Sequence, residues 1–204
     1  MNTIKTVRFV LKPIVFLFCL VPLAMVFTDA YGITGSLGAN PIENIQDRFG
    51  QWGLRFIMLA LAITPLRQLS GYNWLARFRR PLGLFAFFYV LMHFVVWLVL
   101  DSELLMSAII EDVFERPFIT IGMVALVLLL AMAATSTLAM RRRLGSTWQK
   151  IHNSIYVVAL LGVWHFWWQV KNDISEPLIY AVIAAVLLGY RIWRNKLQVT
   201  PVRA

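Results

Sequence analysis

Three histidines stand in otherwise apolar runs of this chain: "FAFFYVLMHFVVW" holds His93, and "WQKIHNSIYVVALLGVWHFWWQV" holds His152 and His165. A neutral imidazole offers one lone-pair nitrogen and one N–H, so it can ligate a metal, relay a proton or bridge two helices by a hydrogen bond. Which of these is open to each ring depends on its depth and on what faces it. Both are set by the elements that carry it.

Hydrophobic residues make up 60% of the 204 and charged residues only 14%, with 14 Phe and 8 Trp. A soluble domain of this size is far less apolar, so the chain reads as an integral membrane protein. Crossing a hydrocarbon core takes about 20 apolar residues. Six segments approach or reach that length, at about 9–28, 52–66, 81–100, 118–140, 151–170 and 177–193. The expected fold class is all-α, an integral membrane bundle of six transmembrane helices forming one domain over residues 1–204. The second segment is short and bears Arg55, at an end from which its side chain can snorkel to water.

The N-terminal run follows Lys5, Arg8 and Lys12, and a cleaved signal peptide is its competing reading. The long apolar stretch and the lack of a small-x-small site before Tyr31 favour a retained span. The single cysteine, Cys19, can form no internal disulfide, and no C-x-x-C-H haem attachment motif is present. No phosphate-binding glycine loop, repeat or low-complexity tract is seen in the sequence.

Charge gives orientation, because basic loops stay in the cytoplasm. Lys5, Arg8 and Lys12, then Arg67, Arg77, Arg79 and Arg80, then Arg141, Arg142, Arg143 and Lys150, then Arg191, Arg194, Lys196 and Arg203 occupy the two termini and the second and fourth connections. All ten acids fall in the other three connections: Asp29, Glu43 and Asp47; Asp101, Glu103, Glu111, Asp112 and Glu115; Asp173 and Glu176. Both termini are therefore expected on the cytoplasmic side. The net charge of +9 reads as topology and contact with anionic lipid, not as nucleic-acid binding.

With orientation comes depth. His93 lies eight residues before Asp101, roughly 12 Å of helix below the outer end. His165 lies in the outer half of the fifth span, while His152 sits at its inner mouth beside Lys150. His93 and His165 thus share a level on nonadjacent spans, as bis-histidine ligation of a haem iron requires. For a single imidazole, an interhelical hydrogen bond or a proton relay is the competing reading. Zinc is disfavoured, since only three candidate ligands exist and one is some 20 Å from the others by helix rise.

Thirteen residues of ideal helix leave His152 and His165 roughly 140° apart, so they should not share a face. Bending near Gly162, a π-bulge or different rotamers would be needed to bring them onto one partner helix. Opposite His152, at the depth where the third span would offer a partner, stands Arg79, a poor metal ligand better suited to haem propionates or lipid phosphate. On the outer side, Arg48, Arg55, Arg116 or Lys171 can meet propionates.

The third and fifth spans, with histidines at these depths, resemble the ferric reductase-like transmembrane domain, whose members carry electrons across membranes through b haems. Where that family commonly has a fourth histidine, this chain has Arg79. The blocks "GSLGANPIENIQDRFGQWGLRFIMLALAITPLRQL", "RFRRPLGLFAFFYVLMHF", "RPFITIGMVALVLLLAMAATSTLAMRRRLGSTWQKIHN" and "EPLIYAVIAAVLLGYR" narrow the likeness to its branch of haem-binding membrane subunits in bacterial methionine-sulfoxide repair.

The resemblance implies haem b, one or two, on His93, His165 and His152, with Arg79 among the cofactor-binding residues, and FMN as an associated cofactor. It also implies location in the bacterial inner membrane. The expected donors are the quinone pool or a cytosolic flavin reductase. The expected partner, in a heterodimer, is the periplasmic molybdopterin reductase MsrP, which repairs methionine sulfoxide in oxidised periplasmic proteins. A direct ferric-chelate reductase and a His/Arg-based membrane transporter are the alternatives; against the second, the spans show few interior polar groups and no inverted repeat.

Overall fold

The computed structural model describes residues 3–170 and 173–199, and among these every regular element is helical. A helical turn at Thr3–Thr6 and a π-helical stretch at Val7–Leu11 lead into α1 (Lys12–Ala30). α2 spans Pro41–Ser70, a 3₁₀ segment Asn73–Phe78 leads into α3 (Arg79–Val96), and a π-helical stretch Trp97–Asp101 extends α3. The remaining elements are α4 (Met106–Glu115), α5 (Pro117–Ala134), α6 (Leu138–Leu144), α7 (Ser146–Asn153), α8 (Ile155–Gln169) and α9 (Ser175–Val199).

Five segments among the described residues are long and apolar enough to cross a membrane: Val7–Ala30, Pro41–Ser70, Asn73–Asp101, Pro117–Ala134 and Ser175–Arg194. The protein is a multi-pass membrane protein. The expected span at 151–170 is not among these five, and the one expected at 118–140 ends at Ala134. The helix expected over 151–170 breaks at Ser154, leaving the 15-residue α8, roughly 22 Å long, and placing His152 on α7. The roughly 140° separation expected for one continuous helix therefore does not apply to His152 and His165.

The expected second span, 52–66, is instead the 30-residue α2. Its start is written locally: Asn40 caps the helix by accepting from the Glu43 N–H at 3.4 Å while its own amide donates to the Glu43 carboxylate at 2.8 Å, and Pro41 fills the first helical position. Gly71, at φ 74°, ends it in a left-handed cap with its N–H on the Arg67 carbonyl. α2 is central, packing along α3 and also touching α1, α8 and α9, while α5 packs on α8 and α3. Phe16, Leu17, Phe18, Phe27, Val127 and Val186 face outward, as residues in lipid do, whereas Leu61, Ala86, Tyr89, Val158 and Ala159 are buried.

Two prolines inside spans disturb the backbone ladder, and side chains from other helices bond to groups left open at or beside them. Pro65 has no N–H, so the Leu61 carbonyl loses its partner one turn back; Arg191 of α9 donates to it at 2.9 Å. Beside Pro22, the buried Tyr89 hydroxyl inserts into the ladder of α1, accepting from Leu23 N–H at 3.2 Å and donating to Cys19 O at 2.7 Å. Tyr89→Phe removes both bonds while keeping the ring that stacks on Phe56 at 5.3 Å. It should cost about 1–3 kcal/mol, read as a lower thermal unfolding midpoint in detergent. An unchanged midpoint would mean that α1 recloses its own ladder around Pro22.

Candidate functional site

His93 projects from α3 and His165 from α8, and their ring centres stand 5.9 Å apart with planes at 89°. Each ring is fixed through Nδ1. His93 donates from Nδ1 to the Gln46 carbonyl of α2 at 2.8 Å, and His165 does the same to the Phe118 carbonyl of α5 at 2.7 Å. A carbonyl can only accept, so the proton sits on Nδ1 and Nε2 of each ring keeps its lone pair.

The two seats repeat one another. In both, the accepting carbonyl lies 47 residues before its histidine. One turn after each carbonyl comes a glycine, Gly50 or Gly122, on the same helix face. A Cβ added at Gly50 would lie 2.9 Å from His93 Nδ1, and one at Gly122 would lie 3.1 Å from His165 Cε1 and Nδ1. A side chain at Gly50 would force the imidazole to shift, and one at Gly122 would crowd it. Sequence reasoning missed Gln46, Gly50, Phe118 and Gly122, because carbonyls act without regard to side chain and a helical glycine has many explanations. A signal was present nonetheless: each glycine precedes its histidine by 43 residues.

Both rings line a cavity of about 640 Å³ enclosed by α2, α3, α5 and α8. That volume lies within the roughly 300–1,000 Å³ usual for small-molecule and cofactor sites. Leu54, Ile57, Val90, Leu126, Leu129 and Val158 form its apolar wall, and Glu43, Asp47, Gln51, Asp101, Arg116 and Gln169 its polar mouth. The residues fit a haem. Two metal–nitrogen bonds of about 2 Å, plus the distance from each nitrogen to its ring centre, total roughly 6 Å, against 5.9 Å here. The donor set is right for iron, and an apolar wall with a polar mouth suits an amphiphilic porphyrin.

Of the outer basic residues, Arg116 lines the cavity, its Nε held at 3.3 Å by Asp112, which also accepts from Trp97 Nε1 at 3.0 Å. Arg48 is paired with Asp29 at 2.5 Å. Arg55 donates to Tyr180 Oη at 2.9 Å and Gln51 Oε1 at 3.0 Å, and Lys171 lies outside the described residues. His152 and Arg79 are not among the lining residues. His152 stacks on Trp148 with centres 4.0 Å apart, and its Nε2 is 3.3 Å from Thr135 Oγ1. Arg79 donates to Thr64 Oγ1 at 2.8 Å. The structure thus brings His93 and His165 together and gives His152 and Arg79 separate neighbours.

Gly50→Ala and Gly122→Ala should each push an imidazole out of register and lower the haem retained on purification, with a shifted midpoint potential in what remains. Gly83→Ala, where an added Cβ meets nothing within 4 Å, should leave both unchanged. Haem per chain and a redox titration of the three variants check this.

The family described as the ferric reductase like transmembrane component matches residues 49–163, which hold Gly50, His93, Phe118 and Gly122 but leave out Gln46 and His165. The chain is 49% identical over 164 residues to the protein-methionine-sulfoxide reductase heme-binding subunit MsrQ of Xanthomonas euvesicatoria pv. vesicatoria (strain 85-10), covering 80% of this chain and 75% of that one. It is 46% identical over 190 residues to the protein of the same name from Xanthomonas oryzae pv. oryzae (strain MAFF 311018), covering 91% and 87%. To the one from Ralstonia nicotianae (strain ATCC BAA-1114 / GMI1000) it is 48% identical over 165 residues, covering 79% and 76%. A match over more than half the chain, joined to identity near one half along most of its length, leaves one assignment: the chain belongs to the ferric reductase-like transmembrane family and, within it, to the MsrQ haem-binding subunits.

Proposed function

We propose that the chain is the haem b electron-transfer subunit of a bacterial methionine-sulfoxide reductase system, set in the inner membrane as six spans with both termini cytoplasmic. The observation that carries this reading is the pair of imidazoles from different helices, 5.9 Å apart and each tied through Nδ1 to a carbonyl. In this reading His93 and His165 would hold the haem iron through Nε2. A bound haem supplies a one-electron couple whose potential follows from its ligands, their hydrogen bonds and the dielectric around it.

The chain's own residues do the rest. The Gln46 and Phe118 carbonyls keep the Nδ1 protons in place and raise the basicity of Nε2. Leu54, Val90 and Leu126 keep water from the cavity wall. Arg116, steadied by Asp112, offers its guanidinium to a propionate at the polar mouth. Electrons enter on the basic side near His152 and Arg79, from the quinone pool or a cytosolic flavin reductase, and leave on the acidic side to MsrP. A chain holding two haems would use His152 as a ligand of the inner one and Arg79 as a cofactor contact beside it. FMN enters this reading through family resemblance alone.

The detergent-purified protein should show a low-spin b-type spectrum. Because the two imidazole planes are near perpendicular, its electron paramagnetic resonance signal should be of the strongly anisotropic low-spin class. His93→Ala and His165→Ala should each abolish that signal, while His152→Ala should keep it. Haem counting by pyridine haemochrome on the same variants gives the number per chain. Full haem in both cavity variants would defeat the assignment, and reoxidation by ferric chelates but not by purified MsrP would favour a direct ferric-chelate reductase.

A further inference from the structure

At the basic end of the bundle, away from the histidine cavity, two arginines from different helices converge on one hydroxyl. Arg79 Nη2 donates to Thr64 Oγ1 at 2.8 Å, and Arg191 Nη2 lies 3.1 Å from the same oxygen. Arg191 also donates to Tyr156 Oη at 2.6 Å and sits over that ring, 4.9 Å from its centre. Arg67 is near enough to add to the positive field at Arg79. No carboxylate side chain can answer these charges. Along the three helices concerned, the nearest acids are Asp47 on α2, Asp101 past α3 and Glu176 on α9, each 15 or more residues away, or roughly 22 Å and beyond by helix rise.

Donors there are left over as well. The Nε atoms of Arg191 and of Arg194, three residues further along α9, are buried without an acceptor among the described residues. Buried guanidinium N–H groups facing like charge are costly unless an anion neutralises them. The guanidinium fork matches a tetrahedral oxyanion with several acceptor oxygens. Thr64 lies six residues from the end of α2 and Arg79 is exposed, so the cluster sits near the bilayer surface and within reach of phosphate groups.

We propose that Arg79, Arg191 and Arg194, with the Thr64 hydroxyl, form an anion site at the basic end of the bundle that takes a phosphate group. The group comes either from a phospholipid head or from a soluble phosphate ester, and two arms of one experiment separate these sources. In the first, native mass spectrometry counts phosphatidylglycerol retained by the delipidated full-length protein. In the second, thermal unfolding followed by tryptophan fluorescence is titrated with inorganic phosphate against chloride at matched ionic strength.

Retained phosphatidylglycerol assigns the site to a lipid head, and stabilisation by inorganic phosphate alone assigns it to a soluble ester. Whichever response is seen should weaken roughly tenfold or more in Arg79→Gln and in Arg191→Gln, and should persist in Arg142→Gln, which loses the same charge outside the cluster. Arg191→Gln also gives up the Leu61 carbonyl, so Arg79→Gln keeps the test readable if that variant unfolds. The proposal falls if wild type gives neither response, or if both cluster variants respond like wild type. Neither response together with two haems per chain would assign the cluster to propionates instead.

Discussion

A polar atom inside a hydrocarbon layer cannot fall back on water, so each one must find its partner within the protein. That constraint recurs at every consequential point of this fold. Pro65 would strand the Leu61 carbonyl, and Arg191 reaches it from another helix. Pro22 disturbs α1, and the Tyr89 hydroxyl enters the ladder beside it, accepting on one side and donating on the other. The two cavity imidazoles obey the same rule, each donating a hydrogen bond from Nδ1–H to a carbonyl of the neighbouring helix. In the histidines the rule has a chemical result: satisfying one nitrogen internally leaves the other free for coordination.

The repeated seat explains how two helix pairs can present matching ligands. α2 with α3, and α5 with α8, each supply a carbonyl, a glycine one turn later and a histidine from the partner helix. The glycine allows the ring to lie against the helix backbone, and that contact, together with one hydrogen bond, fixes the imidazole in place. Spacing between the rings then depends on how α3 and α8 pack around α2 and α5, not on loop conformation. Precision of this kind suits a group whose potential responds to ligand orientation.

The two ends of the bundle are stabilised differently. On the acidic side, polar groups are tied across elements: Arg48 to Asp29, Gln169 to Asp47, Gln51 to Glu176, and Trp97 and Arg116 to Asp112. On the basic side, arginines meet hydroxyls and carbonyls because no carboxylate side chain is within reach. Charges on the first side are answered by residues of the same chain, and the other side is left with excess positive charge.

The residue string alone was enough to establish a membrane bundle, the division of charge between its ends, and the matching levels of His93 and His165, because hydropathy, charge bias and helix rise are properties of short stretches. The length of α2 is not legible in the sequence, since Arg55 and the polar turns around Asp47 interrupt the apolar run while their partners, Tyr180 and Gln169, are over a hundred residues away. The break at Ser154 was invisible for a related reason: what holds His152 on α7 is Trp148 and the end of α5 at Thr135, and only packing brings that residue near. Gln46, Gly50, Phe118 and Gly122 likewise acquire a role only when α2 meets α3 and α5 meets α8, because a carbonyl or a missing Cβ carries no signature until another helix is laid against it.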